Sequence, residues 1–120
     1  LGSAPMRAVT PTDVAEDGAR FFGFRLIATP GHTDGHAAYL HEADGALFAG
    51  DALAMIDGKL RYMARAVTPD LDAARTSMVR LLDLSFDVVC PGHRAPGPVD
   101  REDRKAFGER LATADWPALG

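Results

Sequence analysis

Three short apolar runs in this chain each stop at a glycine that is followed at once by a histidine or an aspartate. Leu26-Ile27-Ala28-Thr29-Pro30-Gly31 precedes His32, Leu47-Phe48-Ala49-Gly50 precedes Asp51, and Val88-Val89-Cys90-Pro91-Gly92 precedes His93. Runs of this length, rich in branched and aromatic residues and bounded by Gly or Pro, read as strands. A glycine at a strand end has no Cβ, so the backbone can turn sharply there and pass close to another segment. If the strands are neighbours in one sheet, their ends open on one edge and the three ionisable side chains converge there.

The intervening segments supply the connections. Residues 21–28 read as one strand. Ala43-Asp44-Gly45 separates the apolar runs 37–42 and 46–49, and Asp57-Gly58 separates 52–56 from 59–63. Asp-Gly provides the positive φ of a tight hairpin turn, so two hairpins are expected. A helix follows, with Thr68 as N-cap, Pro69 at the first helical position and Asp70 at the positive end of the dipole. Leu71, Ala74, Met78, Leu81 and Leu82 recur at helical spacing and give it one buried face. Residues 86–90 read as another strand, and a second helix runs from its cap at Asp100 to about Ala114, with Phe107 and Leu111 inward. This order predicts an α/β fold, a sheet with helices laid on one face. Leu1-Gly2-Ser3 resembles a cleaved-tag remnant, which leaves residues 4–120 as a single domain.

Composition narrows the function. A chain of 120 residues that is 47% hydrophobic fits one globular domain. It has no apolar run near the roughly 18 residues of a membrane span and no secretory leader, so it reads as soluble. The net charge of -4 gives no footprint for nucleic acid. Arg101, Arg104 and Lys105 are interleaved with Glu102 and Asp103, which reads as a solvated helix face. A single cysteine, Cys90, excludes an internal disulfide and suits a reducing cytoplasm.

Two imidazoles and a carboxylate form a ligand set for zinc, manganese or iron. A carboxylate can also bridge two ions about 3.5–4 Å apart. One Gly-Asp or Pro-Gly-His step alone is an ordinary turn; three in this arrangement leave a metal site and plain turns both open.

The sequence Thr29-Pro30-Gly31-His32-Thr33-Asp34-Gly35-His36 resembles the Thr-Pro-Gly-His-Thr-x-Gly motif of metallo-β-lactamase-fold hydrolases. Its second histidine is most similar to the glyoxalase II-like branch. Leu47-Phe48-Ala49-Gly50-Asp51 is similar to the family's strand ending in Gly-Asp, and Asp87 to His93 resembles its later Pro-Gly-His motif. A helix over residues 73–84 matches in type and place, and the likeness covers about residues 9–114. The resemblance implies the second half of an αβ/βα sandwich. It makes His32 a ligand of a first metal, Asp51 a bridge between two metals and His93 a ligand of the second. Zinc is the expected ion, with iron or manganese as alternatives, and two ions in a complete site. A metal-bound hydroxide oriented by Asp51 would attack an ester, thioester, amide or phosphoester of a small molecule, with the motif favouring a thioester or ester.

Two departures stand out. The family's first half carries a His-x-His-x-Asp-His motif, and the four histidines here (His32, His36, His41 and His93) do not form it. Arg94 also stands where the family tends to have Gly. The chain alone is therefore expected to be inactive or very weak, with the chemistry belonging to a parent protein.

Other residues carry lesser expectations. His36 reads as a brace through a hydrogen bond more than as a ligand, and His41 as an exposed hairpin residue. Cys90 reads as a small buried hydrophobe, a soft ligand being the alternative. Arg61, Tyr62 and Arg65 are candidates for a substrate pocket, and Trp116 for a packing anchor. A rival reading is a non-catalytic module that binds metal, or that forms a homodimer through the sheet face a half-fold exposes. A third is a structural interaction protein in which the Gly-His and Gly-Asp steps are only turns.

Overall fold

The computed structural model describes residues 16–63, 67–93 and 95–113. Its elements run β1 (Arg20–Phe21), β2 (Phe24–Ala28), β3 (Ala37–His41), β4 (Ala46–Gly50), β5 (Ala54–Ile56), β6 (Lys59–Arg61), α1 (Leu71–Leu82), β7 (Val88–Pro91), β8 (Gly97–Pro98) and α2 (Arg101–Leu111). A six-stranded sheet has the order β1-β2-β3-β4-β7-β8, and β5 and β6 form a separate two-stranded ribbon. All neighbours are antiparallel except β4 and β7, which are parallel and are joined through α1. Because β2 and β4 are both antiparallel to β3, the strands β2, β4 and β7 point the same way. Their carboxyl ends therefore share one edge, where open α/β sheets bind ligands. The segments leaving that edge begin with Thr29, Asp51 and Gly92.

Alternation along the strands gives the sheet two unlike faces. Leu40, Leu47 and Val89 lie in one cross-strand row, with Ile27, Ala38 and Ala49 on the same side, and all are buried. Met78 and Leu81 of α1, Phe107 and Leu111 of α2, and Met55 and Leu60 of the ribbon close over this face in one core cluster. Each fully buried Leu or Phe contributes about 1.5–3 kcal/mol relative to exposure. The other face carries the row Leu26–Tyr39–Phe48–Cys90. Tyr39 and Phe48 are 36% and 41% exposed, and neighbouring Phe21 is 38% exposed. The expected sheet with helices on one face is thus present, and its opposite face carries part-exposed Phe21, Tyr39 and Phe48 beside buried Leu26.

Several expectations need correction. The run 21–28 is a hairpin, broken at Phe22-Gly23 where φ is 51° and 83°. The two Asp-Gly turns differ: Asp57 and Gly58 both take positive φ, whereas in the first hairpin Gly45 does and Asp44 does not. Helix α1 starts later than expected. Asp70, whose carboxylate accepts from the Ala73 N–H at 3.0 Å, is the N-cap in place of Thr68, and Pro69 lies before the helix. Strand β7 begins at Val88 because Phe86 turns into the core and Asp87 N–H donates to the Gly45 carbonyl at 2.7 Å. Helix α2 is capped by Asp100 as expected, with Phe107 and Leu111 buried.

The face of α2 is not wholly solvated. Arg104 is half-buried and donates to the carbonyls of Phe86 (3.2 Å), Leu82 (2.6 Å) and Leu84, with its guanidinium 4.1 Å from the centre of the Phe86 ring. It ties the end of α1 to α2. Asp103 accepts from the Leu60 N–H at 2.8 Å and holds the ribbon against the same helix. His41 is also not an exposed residue: its ring lies 4.9 Å from Phe24 and its side chain is 26% exposed. Arg65, Arg94, Trp116 and residues 1–3 lie outside the described residues. Among the described residues no helix is long and apolar enough to cross a membrane.

Candidate metal centre

The shared edge is shaped by glycines. Gly31 has φ 140°, and a Cβ there would lie 2.5 Å from Ala74 of α1. This contact seats the loop after β2 on the helix, helped by Ser77 Oγ donating to the Pro30 carbonyl (2.7 Å) and Asp70 N–H donating to the Gly31 carbonyl (3.2 Å). His32 leaves the loop with its Nδ1 2.5 Å from the Val67 carbonyl. A carbonyl only accepts, so Nδ1 carries the proton and Nε2 is left facing the edge.

Asp51 follows Gly50, which has φ 55° at a register shift between β4 and β7. Gly92 N–H donates to the Gly50 carbonyl at 2.9 Å, and a Cβ on Gly92 would come within 3.0 Å of Asp51 Oδ1. The two exits therefore press together. Asp51 Oδ2 lies 3.4 Å from His32 Nε2, and Asp51 Oδ1 lies 3.0 Å from His93 Nε2. The three sequence candidates are thus together, with the carboxylate between the imidazoles and one histidine at each oxygen. Side-chain exposure is 28% for His32, 24% for Asp51 and 78% for His93.

His36 is the fourth member. Its Nδ1 lies 2.7 Å from Thr29 Oγ1 and its Nε2 accepts from the Asp51 N–H at 3.0 Å. Burial, opposed by the Asp51 carboxylate, pushes its imidazole below the ordinary value. Both ring nitrogens are occupied, so His36 is a brace as expected. Cys90 is half-buried in the outward row of the sheet, in place of the core position expected of it. Asp51 and His93 also wall a cleft of about 190 Å³ whose other side is Leu53, Ala54, Ile56, Tyr62, Met63 and Pro91. Tyr62 belongs to this cleft, but Arg61 is exposed and lines a separate polar groove against α2.

The donor chemistry accepts a cation. With its Nδ1 proton on the Val67 carbonyl, His32 Nε2 faces a carboxylate oxygen, and such a pair is favourable only with a proton or a metal ion between the two atoms. Donors about 2.0–2.2 Å from a tetrahedral ion stand about 3.3–3.6 Å apart, close to the His32–Asp51 separation. Among the described residues each prospective ion position has two donors. Among the described residues there is no group of three or more His, Cys, Asp or Glu that could hold an ion.

Comparison with known proteins identifies the family. The model of the metallo-beta-lactamase superfamily matches residues 4–93. The chain belongs to that superfamily. It is 38% identical over 87 residues to a beta-lactamase-like protein 2 homolog of Caenorhabditis elegans, covering 72% of this chain and 25% of that protein. It is 36% identical over 70 residues to a hydroxyacylglutathione hydrolase of Francisella tularensis subsp. novicida, covering 57% and 26%. A metallo-beta-lactamase family protein of Thermus thermophilus superposes with a TM-score of 0.58 at 33% identity, over 80% of this chain and 34% of that one. A protein solved in a di-iron-bound form gives 0.60 at 31% identity, over 80% and 46%. The chain spans between a quarter and two-fifths of the curated relatives it matches.

Proposed function

We propose that this chain supplies the carboxylate-centred half of a two-metal hydrolase site, with His32 holding one ion, His93 the other and Asp51 bridging them. The observation that carries this is the placement of a different imidazole at each oxygen of Asp51. Zinc suits the donors, with iron or manganese as alternatives. Such ions would act as Lewis acids and lower the pKa of bound water towards neutrality. Asp51 would orient that water, His32 and His93 would each hold one ion, and the apolar cleft beside Asp51 would take the uncharged part of a small-molecule substrate.

The substrate class we favour is a thioester or ester, ahead of an amide or phosphoester. This rests on the Gly31-His32-Thr33-Asp34-Gly35-His36 sequence and on the likeness to a hydroxyacylglutathione hydrolase. The missing donors come from a first half with a His-x-His-x-Asp-His motif, so turnover belongs to the whole protein, in the reducing cytoplasm, and is weak or absent in this chain alone. A hydrolysis screen of the whole protein against the four substrate classes tests this. Thioester or ester cleavage lost in Asp51→Ala supports the assignment, and metal-independent cleavage or unchanged activity in Asp51→Ala refutes it.

A second reading is favoured by the aromatic sheet face bearing Phe21, Tyr39 and Phe48. A non-catalytic module would cover it with a second copy of the chain. Sedimentation of the chain then shows a dimer that Phe48→Glu dissociates, whereas a monomer at all concentrations excludes that reading.

A further inference from the structure

Nothing in the ligand assignment explains why Asp51 presents one oxygen to each histidine. We propose that His36, in its Nδ1–H tautomer, is a positioning residue that fixes the Asp51 main chain and thereby aims both carboxylate oxygens. The proposal rests on the reading of Asp51 as a metal-bridging group.

The tautomer follows from donor and acceptor roles. Asp51 N–H can only donate, and it points at His36 Nε2 from 3.0 Å, so that nitrogen carries the lone pair. The proton is then on Nδ1 and is donated to Thr29 Oγ1 at 2.7 Å. Thr29 is 2% exposed, so its hydroxyl is fixed within the fold. Thr29 N–H also donates to the His36 carbonyl at 2.9 Å, which clamps the two ends of the His32 loop face to face.

Space at Gly50 gives independent support. A Cβ on Gly50 would lie 2.8 Å from His36 Nε2 and 3.1 Å from its Cε1. The volume a side chain would take at residue 50 is filled by the imidazole. The amide nitrogen it accepts from is one bond from the Asp51 Cα, so rotation of this peptide would swing the carboxylate away from His32 and His93. His36 thus connects the loop after β2 to the loop after β4. With both nitrogens engaged, it has no lone pair for a metal, although its ring centre is 6.5 Å from that of His32.

The test is NMR of the uniformly ¹⁵N-labelled, metal-free chain, with His36→Gln and His36→Leu, followed by cobalt(II) titration of each. A Gln carbonyl can reach the position of Nε2 and accept from Asp51, and Leu cannot accept. The expected wild-type spectrum shows neutral His36 protonated at Nδ1 and a protected Asp51 amide. In His36→Leu the Asp51 amide exchanges about 2- to 10-fold faster, the loss of one ordinary hydrogen bond, while the amides of Leu40 and Leu47 are unchanged. His36→Gln restores most of that protection. Cobalt affinity falls about 10–100-fold in His36→Leu and less in His36→Gln.

An Nε2–H tautomer overturns the proposal, as does unchanged Asp51 exchange in His36→Leu. Equal acceleration of Asp51, Leu40 and Leu47 overturns it too, by showing a general packing role. The expected tautomer and exchange with no cobalt uptake by the wild-type chain would instead overturn the metal reading alone.

Discussion

Gly31→Ala should be the most damaging single-methyl change in the loop that carries His32. The new Cβ would sit 2.5 Å from Cα and Cβ of Ala74 and 2.6 Å from its backbone nitrogen. These are not flexible side-chain tips, so the loop or helix α1 must move. Overpacking of this kind costs about 1–3 kcal/mol. A non-glycine residue at φ 140° adds about 1–3 kcal/mol of backbone strain. The sum, about 2–6 kcal/mol, is a large part of the about 5–15 kcal/mol that holds a domain folded. Equilibrium urea unfolding followed by far-ultraviolet circular dichroism measures it. Gly35→Ala, four residues on, is the control: nothing lies within 4 Å of its Cβ, and its effect should stay within about 0.5 kcal/mol. A Gly31→Ala loss below about 1 kcal/mol, or one equal to the control, would refute the close seating of this loop on α1.

Other variants test separate parts of the structure. Arg104→Ala should destabilise by about 2–4 kcal/mol in the same assay, because it strips hydrogen bonds from three carbonyls at the end of α1; a near-neutral result would show those carbonyls to be solvated. Asp100→Ala removes the cap of α2 and should cost about 1 kcal/mol, read as a lower urea midpoint. Asp17 accepts from the Ala28 N–H and pairs with Arg80, and these contacts hold its carboxyl below the ordinary 3.8. A depressed folded value stabilises the fold above the unfolded value and ceases to do so as pH falls through the folded one. Stability curves of wild type and Asp17→Asn should therefore separate at pH 7 and converge below about pH 3.8; parallel curves would remove the ion pair from the account.

The site was legible in sequence because each part of it announces itself locally. A strand ending in Gly and then His or Asp is visible in consecutive letters, and the family motif fixes the order. What the letters cannot carry is the reason for convergence, which is the shared direction of β2, β4 and β7. That depends on β3 standing antiparallel between β2 and β4, a tertiary fact. Thr68 looked like the cap of α1 because Pro69 suits the first helical position. Asp70 took the cap through a better-placed acceptor for the Ala73 N–H. Phe22-Gly23 hid a turn because a phenylalanine at positive φ has no compositional signal. The Val67 carbonyl, which orients His32, is a backbone group and leaves no trace in the sequence. Arg104 read as solvated because its charge pattern is that of a surface helix; only packing shows its guanidinium over Phe86.

Asp51 is proposed as the shared group of two ion positions, to each of which this chain adds one histidine. Cobalt(II) titration of the chain by visible absorption, beside His32→Ala, Asp51→Ala and His93→Ala, tests it most directly. The expected result is weak uptake by the wild type, abolished in Asp51→Ala and only reduced in either histidine variant, since each removes a donor from one position. Uptake in Asp51→Ala equal to wild type would contradict it.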